Sequence, residues 1–465
     1  MDKDTRLKPF HLCNHQDHRF MINIEDMQAH PIDERTADLL QQINDNGDSF
    51  PISQNEEQLQ ALGLLSQKQK KAAQTAAKEP VPIVNADFFL TQSCNLRCVY
   101  CYGEGGEYGH KGNMEEKTGF QAVDWLIEQS GKVKKIHVGF FGGEPFLNFP
   151  LMEKIVDYAR KRTHEVDKKV DFHATTNGTL LDEKQINFIQ DQDISVMISF
   201  DGPEEIQDAQ RPFAGGKGSY NFIVPKIKNL LAVRPQTPGH AVLMEGTDPQ
   251  KVKEALKEIG FTEVSITPAS DCMLTCDTKT PKSGRDLHNV LELLEQEADR
   301  WLTGIKARDG LALKQLKNSS ELYHGLLSFS HNSKRFFPCG AGLGLTGISS
   351  AGDVYLCHRF VGMDAYKLGN VFDKHIDRDA YLKSPIGFVQ ECRDCPARHY
   401  CAGSCRYDNA ASTGSVFKPP EEMCRLRRRE FELSAYLSSR LDEADRAFLQ
   451  EEDIVPPKPC PLDFG

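Results

Sequence analysis

Three thiols crowd into eight residues. Cys94, Cys98 and Cys101 stand at C-x3-C-x2-C in LTQSCNLRCVYCYGEGG, with no fourth cysteine beside them. A structural zinc is usually closed by four protein ligands. Three ligands leave one corner of a metal or cluster open to a group that is not protein. A second set lies in the C-terminal third. Cys339 is followed after twelve residues by GDVYLC, ending at Cys357. CRDCPARHYCAGSC then gives C-x2-C-x5-C-x3-C at Cys392, Cys395, Cys401 and Cys405, and Cys424 makes seven. A zinc ribbon and an iron–sulfur site are the alternatives for this set.

The chain has 465 residues, 39% hydrophobic and 26% charged, enough for a large core in two or three domains. Its net charge of −11 disfavours nucleic acid or an anionic membrane as partner, since both select a basic face. No apolar run reaches membrane-span length, and the polar start MDKDTRLKPFHLC is no signal peptide. A cytoplasmic protein is therefore expected. In a reducing compartment fourteen cysteines point to metal or redox chemistry rather than to a disulfide framework.

The elements that must position these thiols follow from periodicity. Residues 1–75 predict a small α+β module: RFMINIEDMQAHPID reads as extended chain with a turn, and ERTADLLQQIN as a helix with Ala37, Leu40 and Ile43 on one stripe. A linker ending in prolines follows. From about 83 to 270 six apolar runs (PIVNADFFL, KKIHVGFF, KVDFHATT, ISVMISF, HAVLME, EVSITPA) alternate with amphipathic helices, one of them with Phe120, Val123 and Ile127 on a face. Such alternation predicts parallel strands joined by crossovers, with the chemistry in the loops after the strands. The cysteine triplet, GGEP, TTNG and SFDGP follow strands one to four, so all four fall on one face. Helices are expected over 271–330. CRLRRREFELSAYLSSRLDEADRAFL reads as one charged helix, and PPKPCPLDFG is too proline-rich to continue it.

The triplet, with Tyr100 before its last cysteine, resembles the signature of radical S-adenosylmethionine enzymes. The resemblance implies a partial (β/α)6 barrel over 83–310 carrying a [4Fe–4S] cluster on Cys94, Cys98 and Cys101. The open iron of that cluster would chelate S-adenosylmethionine, and reductive cleavage would give a 5′-deoxyadenosyl radical. Gly142, Gly143 and Glu144 look like the family's GGE motif, which holds the methionine amine: glycines permit close approach and a carboxylate accepts from an ammonium. TTNGTLL and SFDGPEEIQDAQRPF resemble further family motifs. They implicate Asn177, Ser199 and Asp201 in cofactor binding, with Arg211 pairing the methionine carboxylate. Their bland alternatives are strand-end turns and a surface arginine.

The seven later cysteines resemble a SPASM domain (330–440), which implies two auxiliary [4Fe–4S] clusters and three in all. Cys392, Cys395, Cys401 and Cys424 would ligate one; Cys339, Cys357 and Cys405 would ligate the other. That second set is one ligand short of relatives with an extra cysteine upstream. Cys460 in the 441–465 tail, Cys272 or Cys276 would close it, or an iron stays free for a substrate thiolate. For Cys272 and Cys276 the plain reading is a loop pair with no ligand role. Cys13 reads as a strand thiol.

The loop CNLRCVYCYGEGGEYGHKGNM and the strand VGFFGGEPFLNF are similar to maturases that make sulfur-to-carbon thioether cross-links, such as those for quinohemoprotein amine dehydrogenase and for clostridial Cys-rich peptides. The first is favoured. It implies Cys joined to Asp or Glu carbons in a small subunit, and an external donor such as flavodoxin or ferredoxin. The N-terminal module resembles a leader-recognition element, in which a peptide adds a strand to a sheet edge; a structural cap on the barrel is the alternative. Closing a sulfur–carbon bond on a radical must discard a proton and an electron. Asp408 and His358, each close to an auxiliary cysteine, are the candidate proton acceptors, against structural roles for both. The alternatives are a formylglycine-generating sulfatase-type maturase, a maturase of another Cys-rich ribosomal peptide and, in a different class, a non-enzymatic iron–sulfur electron carrier.

Overall fold

The computed structural model describes residues 5–47, 50–67, 81–269, 273, 287–317, 320–373 and 375–458. At the N-terminus β1 (Thr5–Leu7) precedes an antiparallel meander of β2 (Phe10–His15), β3 (His18–Asn23) and β4 (Gln28–Pro31). α1 (Glu34–Asn46) starts where the Asp33 side chain accepts from the Thr36 amide at 2.8 Å. α2 (Glu56–Ala61) and β5 (Leu65–Gln67) follow, and β5 returns antiparallel to β1. Strand parity gives the meander two apolar faces. Met21 joins Leu40, Ile43 and Leu59 in a small core, while Phe20 and Ile22 face the other way, into a second core shared with the far end of the chain.

The alternation expected from the sequence is present. In chain order come β6 (Asn85–Thr91), α3 (Glu116–Gln129), β7 (Lys135–Gly142), α4 (Phe149–Glu165), β8 (Lys169–Thr176), α5 (Glu183–Asp191), β9 (Ser195–Ser199), α6 (Glu204–Gln210), α7 (Tyr220–Val233), β10 (Gly239–Leu243), α8 (Pro249–Ile259) and β11 (Val264–Pro268). The six strands pair in sequence order, every pair parallel. β6 is buried along nearly its whole length, as a strand covered on both faces requires. The buried face of α3 is Ala122, Val123, Trp125 and Leu126; Phe120 and Ile127 lie at its margins, Phe120 stacking on Tyr158 of α4 at 4.1 Å.

α9 (Leu287–Lys306), α10 (Gly310–Lys317) and α11 (Glu321–Ser330) lead to β12 (Leu345–Ile348), β13 (Asp353–Tyr355) and β14 (Lys367–Asn370). β12 pairs parallel with the free side of β6, and β13 and β14 add antiparallel, so barrel and cysteine-rich region share one nine-stranded sheet. α12 (Asp379–Leu382), α13 (Arg398–Cys401), α14 (Arg406–Thr413), α15 (Glu421–Ser439) and α16 (Glu443–Glu451) complete the chain. The single helix expected over 424–449 is two. Asp442 caps α16 in a reciprocal capping box with Asp445, which ends α15 at Ser439.

Trp125 sits in the barrel core and Trp301 in the second core, where α9, α11 and α15 pack together. Phe20, Ile22 and Met27 of the N-terminal meander are almost wholly buried in that second core. Each such side chain contributes roughly 1.5–3 kcal/mol of burial, so the meander is seated on α15. Among the described residues no helix is long and apolar enough to cross a membrane.

Candidate active site

β6 ends at Thr91 and hands the chain to the cysteine loop. Gln92 fixes that loop. Its side-chain amide donates to the carbonyls of Glu107 (3.2 Å) and His110 (2.8 Å), and its oxygen accepts from the Ser350 amide and hydroxyl beyond β12. Burial pushes the Cys94 thiol up to about 11 and the Cys98 thiol up to about 12, and Cys101 is close enough to both to raise them further. The Leu96 amide and the Asn177 side-chain amide both point at Cys94 Sγ, at 3.4 and 3.7 Å. The loop is also pressed against the end of β7: a Cβ on Gly106 would stand 2.6 Å from Gly143 Cα, and one on Gly143 would stand 2.0 Å from the Ser93 carbonyl oxygen. Three free, partly buried thiols with N–H donors on one sulfur fit an iron–sulfur cluster, whose positive irons offset the cost of thiolates here.

The other residues singled out for the cofactor surround this loop in two layers. Gly142, Gly143, Asn177, Ser199, Tyr100 and Arg211 line a cavity of about 1650 Å³ together with the three thiols. Glu144 and Asp201 stand behind that wall and are fully buried. The Glu144 carboxylate accepts from the Phe146 amide (3.2 Å), the Thr176 hydroxyl (2.8 Å) and the Asn177 amide (2.8 Å). Burial nevertheless pushes it up to about 7, against those three bonds. Asp201 ties the loop to the strand ends: Tyr100 donates to its Oδ2 at 2.7 Å and the Val242 amide to its Oδ1 at 3.1 Å. Arg211 donates to the Tyr100 hydroxyl at 2.5 Å, and its buried Nε–H has no partner among the described residues, which suits an anionic ligand group.

The later cysteines fall into two sets by proximity. Charge on Cys395, Cys401 and Cys424 disfavours ionisation of Cys392, and charge on Cys339 and Cys405 disfavours that of Cys357. Burial pushes Cys357 and Cys392 up to about 12. Each set is a candidate cluster site. Cys272, Cys276 and Cys460 lie outside the described residues.

The far wall of the cavity holds the candidate proton acceptors. Asp408 is ion-paired to Arg359 at 3.0 Å. His358 Nδ1 meets Asp87 Oδ2 at 2.9 Å, and Asp87 Oδ1 meets His173 Nε2 at 3.1 Å. The two imidazoles hold this buried carboxyl below the usual carboxylate range, against a large desolvation penalty. Asp87 is on β6 and His173 on β8, and they join across β7 because residue 139 is glycine. A Cβ there would stand 2.2 Å from Asp87 Oδ1 and 2.3 Å from His173 Nε2. Sequence reasoning missed Asp87, His173 and Arg359; the signal available was a glycine in mid-strand flanked by strands with inward polar residues. His11, Cys13 and Glu432 also cluster, between β2 and α15, but Arg429 pairs with Glu432 at 3.3 Å and His11 bonds it at 3.1 Å. With those partners the cluster reads as a polar network under the meander.

A family model described as the radical SAM superfamily matches residues 88–259. An uncharacterized protein of Methanocaldococcus jannaschii is 40% identical over 130 residues, 28% of this chain and 42% of that protein, so the chain spans less than half of that relative. The cysteine-type anaerobic sulfatase-maturating enzyme of Clostridium perfringens is 24% identical over 354 residues, covering 68% of this chain and 86% of that enzyme. Among solved structures, native anSMEcpe with bound AdoMet and Cp18Cys peptide superposes with a TM-score of 0.61 at 23% identity, over 76% of this chain and 96% of that one. Streptococcus suis SuiB bound to S-adenosylmethionine gives 0.53 at 16% identity, over 90% of this chain and all of that one.

Proposed function

We propose that this chain, whose residues 88–259 match the radical SAM superfamily model, is a peptide-modifying maturase that joins a substrate cysteine sulfur to a side-chain carbon as a thioether. The substrate class is a Cys-containing peptide or small protein with a leader segment, of which the small subunit of quinohemoprotein amine dehydrogenase is the favoured example. The observation that carries this reading is the shared chamber. One cavity is walled by Cys94, Cys98 and Cys101 on one side and by His358, Arg359 and Asp408, neighbours of the second auxiliary set, on the other. A peptide there would meet hydrogen abstraction and electron removal in one place. The rest of the machinery would be three [4Fe–4S] clusters, S-adenosylmethionine, a flavodoxin- or ferredoxin-like donor and the reducing cytoplasm.

A cluster on the triplet, with S-adenosylmethionine, supplies hydrogen abstraction from an unactivated carbon. Tyr100, Asp201 and Arg211 hold the triplet loop against the ends of β9 and β10; Arg211 would receive the methionine carboxylate, and Glu144 braces from behind the Gly142–Gly143 wall that would face the ammonium. His358 takes the substrate thiol's proton. Its Nδ1 is occupied by Asp87, which fixes the ring and leaves Nε2 to accept.

The test is the intact mass of a small Cys-rich protein encoded beside this one. It is incubated anaerobically with reconstituted enzyme, reductant and S-adenosylmethionine, then treated with a thiol alkylator. Loss of two hydrogens per event with a cysteine protected from alkylation is expected; no mass change and no 5′-deoxyadenosine from cluster-loaded protein refutes an enzymatic role. The second reading, formylglycine formation as in sulfatase maturation, is favoured by the relative aligned over 68% of this chain. Activity that survives removal of residues 1–75 supports it, because the thioether reading uses the meander to capture a leader.

A further inference from the structure

Five arginines surround the two auxiliary cysteine sets, and their partners differ; one of them, the partly buried Arg398, donates to the Cys395 carbonyl at 3.3 Å. Beside Cys392, Cys395, Cys401 and Cys424 stand Arg427 and Arg428, each with a carboxylate: Glu430 at 2.6 Å and Glu421 at 3.5 Å. Beside Cys339, Cys357 and Cys405 stand Arg359 and Arg406. Arg359 Nη1 divides itself between Asp408 at 3.0 Å and Cys405 Sγ at 3.5 Å. Arg406 is different in kind. It directly follows Cys405, is 2% exposed, has no ion pair among the described residues, and its Nε and Nη2 are buried without a partner. Its guanidinium lies against the rings of Tyr381 (5.3 Å) and Phe417 (5.1 Å), which stack on each other at 6.0 Å, and a negative charge on Cys339 would favour its own.

A guanidinium stays charged in a protein. Burying it without a counter-charge is among the most costly arrangements available, so the fold requires an anion at this place. A cluster on three thiolates is one, and its reduced state carries one more negative charge. Reduction potential follows net charge, hydrogen bonds to sulfur and solvent exposure. An uncompensated buried cation therefore favours the reduced state of this cluster, whereas at the other set Arg427 and Arg428 are offset by glutamates and Arg398 is only partly buried.

We infer that Arg406 is the built-in counter-cation of the cluster on Cys339, Cys357 and Cys405, raising its potential so that it receives the electron released by bond formation rather than supplying the one that starts the reaction. The inference rests on the function proposed above. The balance is complete: external donor and S-adenosylmethionine together provide one electron and the radical, and the substrate carbon gives that radical a hydrogen atom. As sulfur and carbon join, the thiol proton goes to His358 and one electron goes to this cluster.

The test needs no substrate. In protein with Cys94, Cys98 and Cys101 replaced by Ala, only the auxiliary clusters remain, and an EPR-monitored redox titration reads their potentials. Cys357→Ala identifies which signal belongs to the second set. Arg406→Met keeps an apolar side chain against Tyr381 and Phe417, and such replacement of a buried charge is commonly tolerated or stabilising. It is expected to shift that cluster tenfold or more toward its oxidised state, about 59 mV lower, with the other signal unmoved. Arg406→Lys, which keeps a charge, is expected to shift it less. An unchanged potential in iron-loaded Arg406→Met overturns the role of Arg406 and leaves the cluster in place. Loss of neither iron nor signal in Cys357→Ala overturns the second cluster, and this inference with it.

Discussion

Replacing Tyr100 by Phe removes one hydroxyl and leaves the ring. That hydroxyl donates to Asp201 at 2.7 Å and accepts from Arg211 at 2.5 Å, between a carboxylate that is fully buried and a guanidinium that is 6% exposed. Hydrogen bonds to charged groups contribute about 1.5–3 kcal/mol each, so the gross loss is about 3–6 kcal/mol. Relaxation recovers part of it. Arg211 already stands 3.9 Å from Asp201, and the Val242 amide remains on the other oxygen. The expected net loss is about 2–4 kcal/mol, confined to the barrel. The chain has two tryptophans, one in each large core. Urea unfolding followed by fluorescence in a Trp301→Phe background therefore reports the barrel through Trp125. A loss below about 1 kcal/mol refutes the argument, since it means that Arg211 and Asp201 re-pair directly and the hydroxyl holds nothing.

Gly143→Ala drives a methyl into the Ser93 carbonyl, and neither backbone can retreat; a destabilisation of about 1–3 kcal/mol with loss of iron from the triplet is expected, read by iron content and S-adenosylmethionine binding. Glu144 is raised by burial from its ordinary 4.5 to about 7, so its stabilising contribution is full below the unfolded value and is lost as pH rises through the folded one. Cluster-free protein should lose on the order of 3 kcal/mol between about pH 5 and about pH 8, and Glu144→Gln should flatten that slope in chemical denaturation. Asp87→Asn leaves an imidazole facing an amide N–H on one side; a loss of about 1–3 kcal/mol in thermal or urea unfolding is expected, and rescue by the paired His173→Asn change would localise it. Cys98→Ala should abolish S-adenosylmethionine cleavage and retain the iron of the seven later cysteines, checked by iron analysis and 5′-deoxyadenosine release.

The strands of the barrel were legible because each is a short apolar run bounded by turn residues, and the loops carry residues that have no reason to be there except chemistry. The division of the seven later thiols into four and three came from the resemblance to a SPASM domain and not from their spacing. What lay beyond reach were partnerships between distant residues. Asp87 meets His173 across 86 positions and His358 across 271, and no local pattern encodes either pairing. β12 was hidden in GLGLTGI, too short and too rich in glycine to read as the neighbour of β6. The break between α15 and α16 was different, because the acidic pair Asp442 and Asp445 at capping-box spacing was visible and was outweighed by the helical periodicity around it.

The continuous sheet has a practical consequence for anyone dissecting this protein. β12 covers the side of β6 that β7 does not, and β6 is the strand that launches the cysteine triplet. Trimming the chain before β12 would strip that side and expose a row of unpaired amides and carbonyls flanked by Phe88, Phe89 and Leu90, a surface suited to self-association. The two cysteine-bearing halves are therefore not separable cassettes. Point substitutions of single cysteines, which leave every strand paired, are the way to silence one half at a time.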